Sequence, residues 1–282
     1  MEECSWILEF KPMYEKAYYS RAIAKENLGD SDGAINDLKH ALYINQSDYS
    51  YVLYGDIYAD SKKDYKTAAE LYIAVSPVSA NSMIGAASAY QELGDRKNAI
   101  TFYKKALQLK PVDSNIAYYI ACLYGEDEDY ESAKDYLQKA ITFDKNNTQA
   151  VEYLASIEEA DKSNLLNSAI ALYDENKYDE SFAKFNELLS KDSKNAYALY
   201  YRGMIYDAKE KRNEAIRDLQ NAFKLNKDFL ICNYLIASDY DALGKYKEAY
   251  NYYLAYANSN ADEDEYKKYA KDRAEELKEY AK

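Results

Sequence analysis

Seven acidic residues recur at one point of a phrase that this chain repeats along its length: Glu26, Asp60, Glu92, Glu126, Asp174, Asp207 and Asp241. Each stands where an amphipathic helix is expected to end. A carboxylate there opposes the helix macrodipole and costs roughly 0.3–1 kcal/mol where exposed. A surface that accepts this at every repeat attracts cations, so the chemistry on offer is recognition of basic side chains. The plainer account is that helices end in polar residues, in a chain whose acids outnumber its bases by 49 to 36. At the level of sequence both accounts stand.

Catalytic chemistry is thinly represented. His40 is the single histidine and reads as a surface residue. Cys4, Cys122 and Cys232 lie far apart and form no CxxC pair, which argues against a zinc site and a disulfide framework. Phosphate-binding glycine loops and the GxSxG elbow are absent. Glu126-Asp-Glu-Asp129 lacks the spaced ligands and glycine of a calcium loop, and reads as a solvated acidic turn. The expectation is therefore no catalytic residue, no metal and no cofactor: not an enzyme.

The elements that carry these residues follow from the phrase itself. It reads LGDSDGAINDLKHALYIN at 28–45, LGDRKNAITFYKKALQLKP at 93–111 and LGKYKEAYNYYLAYA at 243–257. The small residue after each turn is Ala34, Ala68, Ala99, Ala133, Ser181, Ala215 and Ala249, at spacings of 34, 31, 34, 48, 34 and 34. A second follows seven later (Ala41, Ala106, Ala140, Ala222), and a third precedes by twelve (Ala22, Ala87, Ala121, Ala169, Gly203, Ala237). Two helical stripes joined by a short turn, at this period, predict stacked helical hairpins. In residues 80–113 the first helix offers Met83, Ala86, Ala87 and Tyr90 as one apolar stripe. Gly94 supplies a left-handed cap, the second helix buries Ala99, Phe102 or Tyr103, Ala106 and Leu109, and Pro111 closes the unit. Small residues at fixed points let two helix backbones approach closely. Only three Pro and eight Gly, with no apolar run of membrane-spanning length, fit the same all-α reading.

A bulky residue, small residues around a glycine-type turn, an aromatic and a closing proline make residues 80–113 resemble the tetratricopeptide repeat (TPR) family. Residues 15–48, 114–147, 196–229 and 230–259 match well, and 49–79 and 162–195 match with losses. The resemblance implies an α-solenoid of antiparallel helix hairpins, about seven repeats in a superhelix, with a concave groove lined by the first helices.

Two arrays are expected. The 48-residue step leaves room for one extra helix, 148–161, with Val151, Leu154 and Ala155 on one face. A lone extra helix would invert the antiparallel alternation, so either residues 148–174 form one long helix or the following array is reoriented. The lack of Pro and Gly between 126 and 202 permits the long helix. The first array is then 15–161 (repeats 15–48, 49–79, 80–113, 114–147 and helix 148–161), preceded in 1–14 by the closing helix of a truncated repeat. The second is 162–282 (repeats 162–195, 196–229, 230–259 and a capping helix at 262–281). Either the natural protein starts at this half-repeat or the chain is a fragment. The 31-residue step reads as a shortened loop around Ser76-Pro77-Val78.

The family resemblance also implies which face lines the groove. Position 5 of each repeat brings Tyr19, Leu53, Ile84, Tyr118, Leu166, Tyr200 and Tyr234; position 9 brings Ile23, Ile57, Ser88, Cys122, Ile170, Met204 and Ser238. Position 6 adds Tyr54, Tyr119 and Tyr201, and the acidic row completes the surface. Tyrosine suits recognition, since it offers large contact area and a hydroxyl at low entropic cost. An AT-rich genome would also raise the count, which is 34. One TPR subfamily grips acidic chaperone tails with a Lys and Asn clamp; here Tyr19 and Ile23, Leu53 and Ile57, and Ile84 and Ser88 hold those places. Heat-shock chaperone tails are thus disfavoured.

The acidic balance makes nucleic acid and anionic membranes poor partners. Residues 1–161 hold 27 acids against 16 bases and residues 162–282 hold 22 against 20, so a basic partner should favour the first half. The function expected is a non-catalytic scaffold that binds a partner peptide or segment, basic in character, in a Tyr-rich acidic groove. The alternatives are a self-associating structural module or the regulatory arm of a larger protein. A cytoplasmic location is expected, because no signal-peptide pattern is present; a fragment would have lost any upstream signal.

Overall fold

The structure, a computed structural model, describes residues 1–75 and 78–281; Ser76 and Pro77, within the loop expected to be short, lie outside them. A short helix α1 (Glu2–Phe10) precedes four hairpins: α2 (Glu15–Asn27) with α3 (Ser31–Ile44), α4 (Asp48–Asp56) with α5 (Tyr65–Ile73), α6 (Ala80–Glu92) with α7 (Arg96–Leu109), and α8 (Ser114–Glu126) with α9 (Tyr130–Phe143). The long α10 (Thr148–Asp174) leads to α11 (Tyr178–Lys191). Two more hairpins follow, α12 (Ala196–Ala208) with α13 (Arg212–Leu225) and α14 (Ile231–Ala242) with α15 (Tyr246–Ala257), before α16 (Glu265–Leu277). No strand occurs among the described residues. The chain falls into two compact units, Met1–Ile157 and Glu158–Lys282, divided within α10. Helix α10 is a single helix of 27 residues.

The small residues mark the points where helix backbones meet. Ala34, Ala68, Ala99, Ala133, Ser181, Ala215 and Ala249 are all fully buried, as are Ala41, Ala106, Ala140 and Ala222. The upstream members, Ala22, Ala87, Ala121, Ala169 and Ala237, are equally so. Gly203 is tighter still: a Cβ there would lie 2.9 Å from Leu219 Cγ. The hydroxyl of Ser181, a polar group in an alanine position, donates to the Ala169 carbonyl at 2.8 Å and so remains satisfied.

The second hairpin departs from the expected register. Its first helix starts at Asp48 and ends in a π-turn, Ile57–Ser61, which accommodates one extra residue before the phrase resumes at Ala68. The missing upstream small residue is therefore Gly55, thirteen rather than twelve before Ala68. A Cβ on Gly55 would come within 2.7 Å of the Tyr72 ring, and one on Gly85 within 2.5 Å of the same ring. Tyr72 thus fills the space that two glycines leave between α4 and α6. The shift by one residue turns Tyr54 and Ile57 into the core, where they are 9% and 2% exposed, and moves Leu53 against the first repeat's core. These three leave the groove face expected of them.

The turn inside each hairpin carries a left-handed residue, and among the described residues three of these are glycine: Gly29, Gly94 and Gly244. Lys63, Glu128, Asn176 and Glu210 adopt the same conformation with φ of 54° to 60°. A side chain there is strained by roughly 1–2 kcal/mol unless it is glycine. Glu210→Gly should therefore raise the melting temperature of the chain, and an unchanged or lowered value would contradict the strain. Conversely, Ala133→Leu should destabilise by about 1–3 kcal/mol in denaturant unfolding, because the added volume has no space to enter.

Candidate binding groove

In the first unit the face between α4 with its π-turn and α6 is concave. A cleft of about 490 Å³ opens there, with Val52, Ala59 and Ile84 as its apolar floor and Asp56, Asp60 and Glu92 among its polar walls. Lys63 and Ser88 complete the rim. Asp56 accepts a hydrogen bond of 2.5 Å from the Tyr72 hydroxyl. Burial pushes the Asp56 carboxyl above the usual range; the Tyr72 bond opposes this and the neighbouring charge of Asp60 adds to it. Burial, then that carboxylate, raises the Tyr72 hydroxyl in turn. Sequence reading missed Val52, Asp56 and Tyr72. The available signal was the pair Gly55 and Asp56, since the small residue stands one place early and its neighbour is an acid.

The acidic row is not uniform. Asp60 and Glu92 make no ion pair among the described residues, whereas Glu126 lies 3.9 Å from Arg96. Glu26 accepts from the Ser61 hydroxyl, and its second oxygen is buried without a partner. In the second unit two of the three acids are held internally: Asp207 takes Arg212 Nη1 at 3.1 Å, and Asp241 takes Arg273 through both oxygens at 2.7 and 2.9 Å, while Asp174 is exposed. The acids at the cleft without an ion pair among the described residues are therefore Asp60 and Glu92 beside Asp56, and Lys63 is a cation of the same lining.

The remaining expected positions divide by burial. Ile23 and Ser88 are exposed, and Ile84 is half-buried at the cleft. Tyr19 packs its ring edge-on against Tyr49 at 4.8 Å. Tyr118 is half-buried beside the more exposed Tyr119, with ring centroids 6.0 Å apart. The Tyr118 hydroxyl is raised to about 12, first through its hydrogen bond with Cys122 and then by burial. Burial in turn pushes the Cys122 thiol up, which makes it a poor nucleophile or metal ligand. In the second unit Tyr200 and Tyr201 pack against the core, the Tyr173 hydroxyl meets Met204 Sδ at 3.9 Å, and Tyr234 is half-buried with Ser238 exposed beyond it.

One buried acid was not anticipated. Arg212 Nη1 donates to Asp239 at 3.1 Å as well as to Asp207, so a single cation serves two carboxylates. Asp239 Oδ2 is buried with no partner. Burial, then its contact with Asp207, pushes the Asp239 carboxyl up to about 7, and Arg212 only partly opposes the shift. No helix reaches the length and apolarity of a membrane span, and no cluster of metal-ligating residues occurs among the described residues.

Stacked helical hairpins define a class: helical-repeat solenoids. Tetratricopeptide repeat models match residues 15–48, 80–113, 115–147 and 166–224, together more than half of the chain. The chain belongs to the tetratricopeptide repeat family. Its members are in general non-enzymatic interaction modules, and the chain is an all-α scaffold for protein–protein interaction. The curated proteins contain no match. Among solved structures it is similar to the P58(IPK) TPR domain, at 17% identity over 100% of this chain and 93% of that one, with a TM-score of 0.39. A tetratricopeptide repeat protein of Parabacteroides merdae gives 18% identity over 94% and 98%, with a TM-score of 0.45. The TPR2AB domain of yeast Sti1, solved in complex with pHSP90, gives 15% over 94% and 98%, with a TM-score of 0.44.

The Asp239 site predicts a pH dependence of stability. Its folded pKa lies above the ordinary 3.8, so the folded state holds a proton that the unfolded state releases. That contribution is full below about pH 4 and is lost as pH rises through about 7. Asp239→Asn removes the loss, and at pH 8 the variant should melt ~2–4 °C above the parent, while at pH 4 the two converge. Parallel melting curves across that window would refute the assignment.

Proposed function

We propose that this chain holds a basic, extended segment of a partner protein in the groove of its first unit, with no chemistry of its own. The observation that carries this reading is the cleft in which Asp56, Asp60 and Glu92 surround the apolar Val52 and Ile84. An apolar floor accepts the aliphatic stem of a lysine or arginine while the carboxylates meet its head. Tyr19, Tyr118 and Tyr119 extend the same kind of surface along neighbouring repeats. The two units act as separate arrays on this reading, and the repeat limits given above describe their binding steps. A partner tail rich in carboxylates would meet like charge here and is disfavoured.

The test is fluorescence anisotropy with a labelled peptide of alternating lysine and alanine. Asp60→Asn with Glu92→Gln should weaken it by about fivefold or more, whereas Glu128→Gln with Glu131→Gln, which removes equal charge elsewhere, should not. Affinity should also fall on acidification, beginning at a higher pH than an ordinary aspartate would impose, because burial raises the Asp56 carboxyl. Equal loss in both double variants would reduce the interaction to net charge and sink the site.

A second reading has its own observation. On α1, Trp6 and Phe10 lie 4.9 Å apart and are 62% and 69% exposed, an apolar surface suited to self-association. Sedimentation velocity across concentration decides it: a single monomeric boundary at all concentrations rules it out.

A further inference from the structure

The end of the second unit carries an aromatic cluster unlike the others in the chain. Tyr234 of α14 is ringed by four tyrosines, at centroid distances of 5.1 Å to Tyr266, 5.8 Å to Tyr256, 6.0 Å to Tyr253 and 6.1 Å to Tyr269. Tyr253 and Tyr256 are core residues. Tyr266 and Tyr269, on the first two turns of α16, are 45% and 49% exposed, so the cluster opens to solvent on that side. The arrangement is mostly edge-to-face, with interplanar angles of 68° and 74° between Tyr234 and the exposed Tyr266 and Tyr269.

Elsewhere the chain covers several ring faces with its own cations. Lys104 Nζ stands 5.1 Å from the Tyr124 ring centre, Lys139 Nζ 4.3 Å from Tyr136 and Lys227 Nζ 4.4 Å from Phe223. Among the described residues no cation lies over Tyr234, Tyr266 or Tyr269. The bases nearest in sequence are engaged: Lys267 Nζ donates to the Ala261 carbonyl at 2.6 Å and meets Glu263 at 3.1 Å, Lys271 pairs with Glu263 at 2.8 Å, and Arg273 holds Asp241. Lys268 is exposed and lies over none of these rings.

Negative charge surrounds the uncovered rings. The Tyr234 hydroxyl is raised by burial first, then by Tyr269, Tyr266, Glu265 and Asp264; that of Tyr256 is raised by burial and then by Asp264, Tyr234 and Asp262. Asp264 caps α16 by accepting from the Lys267 amide at 2.8 Å. Asp262 and Glu265 make no ion pair among the described residues. Rings without a cation, beside carboxylates without a cation, are complementary to a planar cation that stacks and donates together.

We propose that Tyr234, Tyr266 and Tyr269, with Glu265 and Asp262, form a subsite for an arginine side chain of a partner protein segment. The guanidinium stacks on the exposed tyrosine faces while its N–H groups reach the carboxylates. Arginine is favoured over lysine, because an ammonium has no plane to stack and loses more hydration on leaving water. The subsite rests on the reading of the chain as a binder of basic segments, and it adds a side-chain preference and a second anchoring point, on the second unit.

The experiment uses the full chain and two fluorescein-labelled dodecapeptides, one repeating Arg-Gly-Ser and one repeating Lys-Gly-Ser. The parent should bind the arginine peptide at least about threefold more tightly. Tyr266→Ala with Tyr269→Ala should abolish that preference and weaken the arginine peptide by about tenfold, while Tyr269→Phe, which keeps the ring, should retain binding. Glu265→Gln, a surface change that cannot unfold the helix, should weaken it by about threefold, and thermal melts by circular dichroism check that each variant is folded. Equal affinity for the two peptides, or binding by the folded Tyr266→Ala, Tyr269→Ala variant within twofold of the parent, overturns the subsite. If that variant binds normally while Asp60→Asn with Glu92→Gln does not, the subsite fails and the groove reading stands. If neither pair of substitutions matters, both fail.

Discussion

Close approach of helix backbones at alanine-sized positions is the constraint on which everything else in this molecule depends. At the recurring points of closest approach between the first and second helices of a hairpin, the side chain is Ala, Ser or Gly and is buried. A larger residue there would push the helices apart and rotate them. Since each side chain's direction follows from its helix's rotation, the small residues also determine which side chains face the groove. The inner face is thus specified indirectly, by residues that never touch a ligand.

That dependence explains what could be read from the sequence and what could not. Hairpins, turns and the long α10 follow from spacings that survive in one dimension: the recurrence of Ala, the left-handed turn and the absence of breakers between 126 and 202. The second repeat is illegible by the same rule, because its signal is displaced. A π-turn changes the number of residues per turn locally, so counting backwards from Ala68 lands on Asp56 rather than Gly55. One residue of slippage exchanges Ile57 and Tyr54 for Val52 and Asp56 on the inner face. The cleft exists because of this irregularity: two glycines admit the Tyr72 ring, and its hydroxyl holds the displaced acid.

Charge was legible only as a total. The first unit caps each second helix with an aspartate, Asp30, Asp64, Asp95 or Asp129, whose carboxylate accepts from a backbone amide in the first turn. The second unit places Lys177, Lys211 and Lys245 at the same points, without a side-chain cap. Part of the acidity of residues 1–161 is therefore structural, since each capping carboxylate both satisfies an amide and favours the helix dipole. Counting acids along the chain cannot separate such residues from those that face a ligand.

The separation comes from asking which carboxylates already have a cation. In both units a buried aspartate is answered by an arginine sixteen residues earlier: Arg21 to Asp37 at 2.7 and 2.8 Å, and Arg202 to Asp218 at 2.6 and 3.1 Å. Burial alone would raise the Asp37 carboxyl, yet bonds from Arg21 and Lys25 bring it below the usual range, so the pair is ionised and inward-looking. The buried aspartates are therefore already answered by cations and are not free to bind anything else. By the same criterion Asp241 is occupied, Asp207 shares its arginine with Asp239, and Asp60 and Glu92 remain uncommitted at an open cleft. A carboxylate in water loses little by staying unpaired, whereas one beside an apolar floor gains most when a cation displaces that water. The acids that matter for recognition are therefore those the fold leaves without a cation next to apolar or aromatic surface.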